Sequence, residues 1–152
     1  MTLRWMFLGV QTFMLIFLVF HDWIHLPPWT DARAVRRVYP FSVNLRNTLI
    51  NTVPVALAFA LTIRYLHTDI PVWVRTLWVL LYGLFLLGEY RAWWHPYWFG
   101  WEPDRLARYQ ALFGGTHTFL PRRGGMAPNT AHVLLHACTA LAFVLSIRTI
   151  GL

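Results

Sequence analysis

The chain has 152 residues, room for one domain, and is 57% hydrophobic but only 12% charged. That charged share is about half that of an ordinary soluble domain, so lipid must be part of its solvent. A formal charge of +7 arises from 13 basic residues, all arginine. They flank apolar runs instead of forming one basic face, which argues against nucleic acid and for anionic lipid headgroups as counter-charge.

The first apolar run covers residues 3–24 and stops before Pro27-Pro28. Arg4 precedes its apolar core, Trp5 to Phe20, but His21-Asp22-Trp23-Ile24-His25 comes next instead of a small-residue cleavage site, so an uncleaved membrane helix is expected. Residues 26–44 form a long connection with Arg33, Arg36 and Arg37. The second run covers residues 45–66, with Pro54 as an expected kink. A turn at His67-Thr68-Asp69-Ile70 leads to Pro71, at the first position of a third helix over residues 71–94 that ends ahead of Pro96.

The second long connection, residues 95–128, contains an expected amphipathic helix from Pro103 to Phe113. Leu106, Tyr109, Leu112 and Phe113 recur at helical spacing, Arg105 and Arg108 give a polar edge, and Gly114-Gly115 ends it. Trp93, Trp94, Tyr97, Trp98 and Trp101 read as an interfacial aromatic belt, and Pro121-Arg122-Arg123-Gly124-Gly125 as a turn-rich loop. The fourth run covers residues 129–150. Each run reaches the roughly 20 residues that cross about 30 Å of hydrocarbon. The expected fold is all-α, a single domain over residues 1–152: an integral membrane four-helix bundle with a short interfacial helix between the third and fourth spans.

Both long connections then share one side, with nine arginines against four on the other. The positive-inside rule puts the long loops in the cytoplasm and both termini outside, in a bacterial inner membrane. The single cysteine, Cys138, lies in an apolar run and reads as packing; no internal disulfide is possible.

Polar side chains gather at the loop-side ends of all four spans. His21 and His25 are four apart on the first, and Asp22 lies about 100° round the helix from His21. Asn44, Asn47 and Asn51 form a stripe on the second. Glu89 stands near the end of the third, with Tyr82 two turns earlier, and Asn129, His132 and His136 form a stripe on the fourth. His95 and His117 lie on the same side in or near the loops; only His67 does not. Ionisable groups inside a membrane cost a few kcal/mol unless paired, so a shared interior site is their natural destination.

Two His-x-x-x-His pairs with carboxylates nearby suit a metal, because imidazoles at i and i+4 reach one ion from one helix face. His21, His25, His132, His136 and His117 are the candidate ligands, for Zn or Fe in preference to Mg or Ca. Asp22 and Glu89 are the candidate catalytic carboxylates, as base for a bound water or support for a ligand. The plain alternative stays open: solvated histidines, an asparagine stripe joining helices, and Glu89 paired with Arg46 or Arg91.

The His132/His136 pair together with His21-Asp22 is similar to part of the pattern of alkaline ceramidases, seven-helix membrane zinc amide hydrolases. That resemblance implies His21, His132 and His136 as zinc ligands and Asp22 beside the attacking water. It covers a few residues of a four-span chain and assigns no family. Membrane fatty-acid hydroxylases and desaturases also use such a pair, but their His-x-x-His-His boxes are missing.

Three functions fit the pattern. The first is a metal-dependent membrane enzyme acting on a lipid or other apolar substrate. The second is a haem- or pigment-binding electron-transfer subunit, with one axial histidine from the first span and one from the fourth. The third is a non-catalytic accessory subunit of a larger membrane complex, or a homo-oligomer. A channel is not expected, because the outer halves of the spans look apolar.

Overall fold

A computed structural model describes residues 2–150. These residues are helical, with no strand among them: α1 is Thr2–Phe20, α2 Ala32–Val38, α3 Phe41–Arg64, α4 Val72–Glu89, α5 His95–Phe99, α6 Pro103–Phe113 and α7 Thr130–Ile150. Four stretches are long and apolar enough to cross a membrane: Leu3–Phe20, Phe41–Arg64, Val72–Phe99 and Thr130–Thr149. The chain is therefore an all-α four-helix bundle of membrane type, and α6 occupies the expected segment between the third and fourth spans.

The first span ends earlier than its apolar run suggests. At Phe20 the carbonyl accepts from the N–H groups of both Trp23 and Ile24 at 2.9 Å, which closes the helix in a tight turn. Thr30 then fixes the following loop, its hydroxyl donating to the Ile24 carbonyl at 2.6 Å and accepting from the Leu26 N–H at 3.0 Å. His25 is thereby carried off the helix that holds His21.

The helix α2 was not expected. Asp31 caps it, accepting from the N–H groups of Arg33 and Ala34 at 3.1 and 3.0 Å. Burial works against the Asp31 charge, but the bonds from Ala34 and Arg33 and the nearby His25 and Arg37 hold its carboxyl below the ordinary carboxylate range. Ala32, Ala34 and Val35 turn inward, Arg33, Arg36 and Arg37 face out, and α2 packs on α6.

The third span continues past Pro96, where a stop was expected. After α4 the backbone widens into a π turn, Tyr90–Trp94, in which the His95 N–H reaches the Tyr90 carbonyl. Pro96 sits in the first turn of α5, directly after this wide turn, where its missing N–H and its ring are tolerated. The helix stops at Gly100, whose φ of +113° suits glycine. Glycine is also needed at Gly124 and Gly125, with φ of +59° and +90°, in the tight turn that pairs Arg123 with Met126.

Around the bundle the order is α3, α1, α7, α4; α3 and α4, though consecutive, touch little. Between the two ends the bundle is closely packed, although a cavity of about 400 Å³ opens at the end away from the long loops, lined by Leu3, Arg4, His67, Asp69, Arg75 and Thr149. Phe7, Met14, Val55, Val74, Trp78, Tyr82 and Ala142 are at most 1% exposed. Phe7 meets the rings of Trp78 and Tyr82 edge-on at 5.1 and 5.7 Å. Gly83 lets α7 come close, with the Phe143 ring 3.3 Å from where a Cβ would stand. Arg4 ties off this end, donating to the carbonyls of Tyr65, Leu66 and Thr68.

Contrary to expectation, the half away from the long loops also holds polar side chains. Gln11 is fully buried and its amide donates to the Tyr82 hydroxyl at 2.9 Å. Ser146 and Thr149 are buried too, their hydroxyls donating back to the carbonyls of Phe143 and Ser146. The two hydroxyls are satisfied by their own helix, whereas Gln11 reaches across to α4 and its Oε1 is buried without a partner.

Candidate functional site

Where α3 and α4 part, a cleft of about 530 Å³ opens sideways between them, toward the loop end of the bundle. Its rim carries the exposed Ile50 and Leu84, and Leu18, Leu81, Phe85 and Leu135 give it apolar walls. His21 from α1's exit, Asn51 from α3, Glu89 from α4, and His132 and His136 from α7 also line it. Four elements thus bring five polar side chains to one cavity.

Each of these groups is held by a neighbour. Glu89 Oε1 accepts from the Thr139 hydroxyl at 2.7 Å, while Oε2 is buried and has no protein partner. No arginine pairs with Glu89, so that alternative fails among the described residues. His132 Nδ1 lies 2.7 Å from Asn129 Oδ1, which also accepts from the His132 backbone N–H at 2.8 Å. An amide oxygen only accepts, so Nδ1 carries the proton and Nε2 of the neutral ring keeps a lone pair. His136 has the opposite tautomer: its Nδ1 accepts from the Trp94 indole N–H at 3.1 Å, leaving the proton on Nε2. One turn apart on α7, the two imidazoles therefore offer one acceptor and one donor.

His21 stacks on Phe17 at 4.7 Å and stands edge-on to His132 at 5.7 Å between ring centroids. Its Nδ1 lies 3.0 Å from the Phe17 carbonyl and its Nε2 3.3 Å from Asp22 Oδ1. Both nitrogens thus lie beside an acceptor, the Phe17 carbonyl and the Asp22 carboxylate. Trp93 and Phe113 close over His132 at 4.8 and 4.9 Å.

His25 and His117 lie outside the cleft. His25 Nδ1 is 3.3 Å from Asp31 Oδ1, in the loop that leads to α2. His117 is exposed, with Nδ1 2.8 Å from the Thr130 hydroxyl and its ring against Trp29. Asp22 reaches the site only through His21, facing a small crevice beside it with Trp29, Asp31 and His132. Among the described residues no three His, Cys, Asp or Glu side chains are grouped so as to hold a metal ion.

Trp93 and Trp94 depart from the expected aromatic belt. Trp93 is 5% exposed against His132, and Trp94 is bonded to His136, whereas Trp98 is 53% exposed and lies under the Arg123 guanidinium. The π turn places both indoles inward, and spacing alone carries no sign of it. Thr139 was also missed; its position three residues after His136 on α7 was the available signal.

No protein-family model matches this sequence, and no curated protein and no solved structure is significantly similar to it.

Proposed function

We propose that the chain is a membrane enzyme that admits a lipid or other apolar substrate sideways, between α3 and α4, and acts on its polar end. The observation that carries this reading is the single cleft whose walls are apolar and whose polar side chains are His21, Asn51, Glu89, His132 and His136. Ligand sites commonly pair a mostly apolar cavity of this size with a few convergent polar groups. A π turn beside such groups is also a frequent companion of function.

The chemistry these residues support directly is acid–base. His132 Nε2 serves as base, His136 Nε2–H as donor, and Glu89, which lines the cleft, as a second carboxyl. Asp22 orients His21. In the metal-dependent form of the proposal, zinc or iron would bind at His132, whose Nδ1–H is held by Asn129 as metal-bound imidazoles usually are. His21, His136 or Glu89 would have to turn toward it to complete the shell. The haem reading is less supported, because the edge-on contact of His21 and His132 leaves no slot for a flat macrocycle between them. The arginine-rich loop end is proposed to face the cytoplasm and anionic headgroups.

The test is a lipid inventory of bilayers incubated with purified protein, alongside elemental analysis and a visible spectrum of the same sample. A lipid species consumed by the wild type but not by Glu89→Gln or the His132→Ala/His136→Ala pair supports the enzyme. Stoichiometric Zn or Fe lost in that pair supports its metal-dependent form. No consumption, with a partner protein co-purifying, moves the reading to an accessory subunit.

A further inference from the structure

The polar wall of the cleft discriminates between the head groups an amphiphile can bring to it; this inference rests on the function just proposed. No arginine lines the cleft, and its ionisable side chains are His21, Glu89, His132 and His136. His21 is already engaged by Asp22 at 3.3 Å. A carboxylate or phosphate drawn into the cavity would meet the Glu89 carboxyl with no guanidinium to balance it, and burial of an unpaired anion is strongly disfavoured.

The unused hydrogen-bonding capacity has a different complement. Glu89 Oε2 is buried without a partner. His132 keeps a lone pair on Nε2, and His136 keeps a proton on Nε2. Pro54 has no N–H to give to the Ile50 carbonyl, one turn back in α3, and Ile50 is on the cleft rim. Acceptors outnumber donors in this set. A hydroxyl both donates and accepts, so it satisfies Glu89 Oε2 in either protonation state and still bonds an imidazole.

The volume of about 530 Å³ suits one small ligand and not a bulky head with two chains. We propose that the cleft selects a single-chain amphiphile with an uncharged, hydroxyl-bearing head. The hydroxyl sits among Glu89, His132 and His136, and the chain runs along Leu18, Leu81 and Phe85 to the opening between Ile50 and Leu84.

Two probes with the same chain and different heads test this: 1-monooleoylglycerol and oleate, added in equal amounts to the detergent-purified full chain. Native mass spectrometry reads how much of each is retained. The wild type is expected to retain one 1-monooleoylglycerol per chain at least about tenfold better than oleate, the worth of one good hydrogen bond to a buried carboxyl. Glu89→Leu should retain less 1-monooleoylglycerol than the wild type, while Glu89→Gln, which keeps an acceptor for the hydroxyl, should retain it; neither variant supplies a cation for oleate. The Leu variant leaves no orphan behind, since the Thr139 hydroxyl retains the Leu135 carbonyl at 3.1 Å. Equal or stronger retention of oleate by the wild type overturns the head-group inference and leaves the cleft standing. Retention of neither probe overturns the cleft reading itself.

Discussion

The two halves of this bundle are built from the same four spans and solve different problems. Away from the long loops, Phe7, Met14, Val74 and Trp78 interlock, and a polar pair that joins α1 to α4, Gln11 with Tyr82, is sealed among them. Toward the loops, α3 and α4 separate, and the space between them is lined with histidine, asparagine and glutamate, held from behind by Thr139, Asn129, Trp94, Asp22 or, for Asn51, the Asn47 carbonyl. The comparison teaches where polar groups in a membrane protein are structural and where they are available. In the packed half the hydroxyls turn back to their own helix and Gln11 meets Tyr82; in the open half the polar side chains line a cavity.

Substitutions should therefore separate into two classes. Trp78→Ala, in the packed half, is expected to lose about 3–5 kcal/mol, as buried aromatic truncations do, measured as a fall in the thermal unfolding temperature in detergent. Next in size, the His132→Ala/His136→Ala pair should lower turnover of any lipid consumed by the wild type by about 10²-fold or more, the usual worth of an acid–base group. Its unfolding temperature should fall less than that of Trp78→Ala. A collapse as deep as Trp78→Ala would erase the distinction between the halves.

Asp31→Ala should cost about 1 kcal/mol, the worth of a helix N-cap, seen as faster hydrogen exchange in α2. This contribution depends on pH with a definite sign. Because the folded Asp31 sits below the ordinary carboxylate range, its stabilisation is complete above that range and is lost as pH falls through its lowered value. The acid-side loosening of α2 should therefore be present in the wild type and absent in Asp31→Ala. The smallest effect belongs to Gln11 and Tyr82. A double-mutant cycle with Gln11→Leu and Tyr82→Phe should give a coupling of about 0.6 kcal/mol, typical of a hydrogen bond between membrane helices. A much larger value would mean that the packed half relies on this bond more than on its aromatic contacts.

Apolar run length and proline placement were enough to read the four spans and α6 from sequence. The helix ends were less legible for reasons visible in particular residues. The two His-x-x-x-His segments have one spacing, but α7 continues through His132 and His136 while α1 closes at Phe20, so His21 and His25 diverge. The π turn at Tyr90–Trp94 has no composition signature, and it directs Trp93 and Trp94 inward when aromatic content alone suggests a belt. The short α2 carries a readable Asp31 cap, but seven residues with three arginines are too few for an apolar stripe to reveal. Counting residues along each helix puts Glu89, His21, His136 and Asn51 at one level, and they share the cleft with His132; His117, located only as a loop residue, does not.

The central claim is that amphiphiles enter from the bilayer between α3 and α4. The most direct measurement is photo-crosslinking in bilayers with a diazirine-bearing 1-monoacylglycerol, followed by peptide mapping of the adducts. Leu18 and Leu135 are 4% and 7% exposed and line the cleft wall, so a chain reaches them by entering it. Adducts on these two residues, fewer in Glu89→Leu, are the expected result. Adducts confined to outward-facing positions such as Leu57, Leu80 and Val144, and unchanged in that variant, would contradict it.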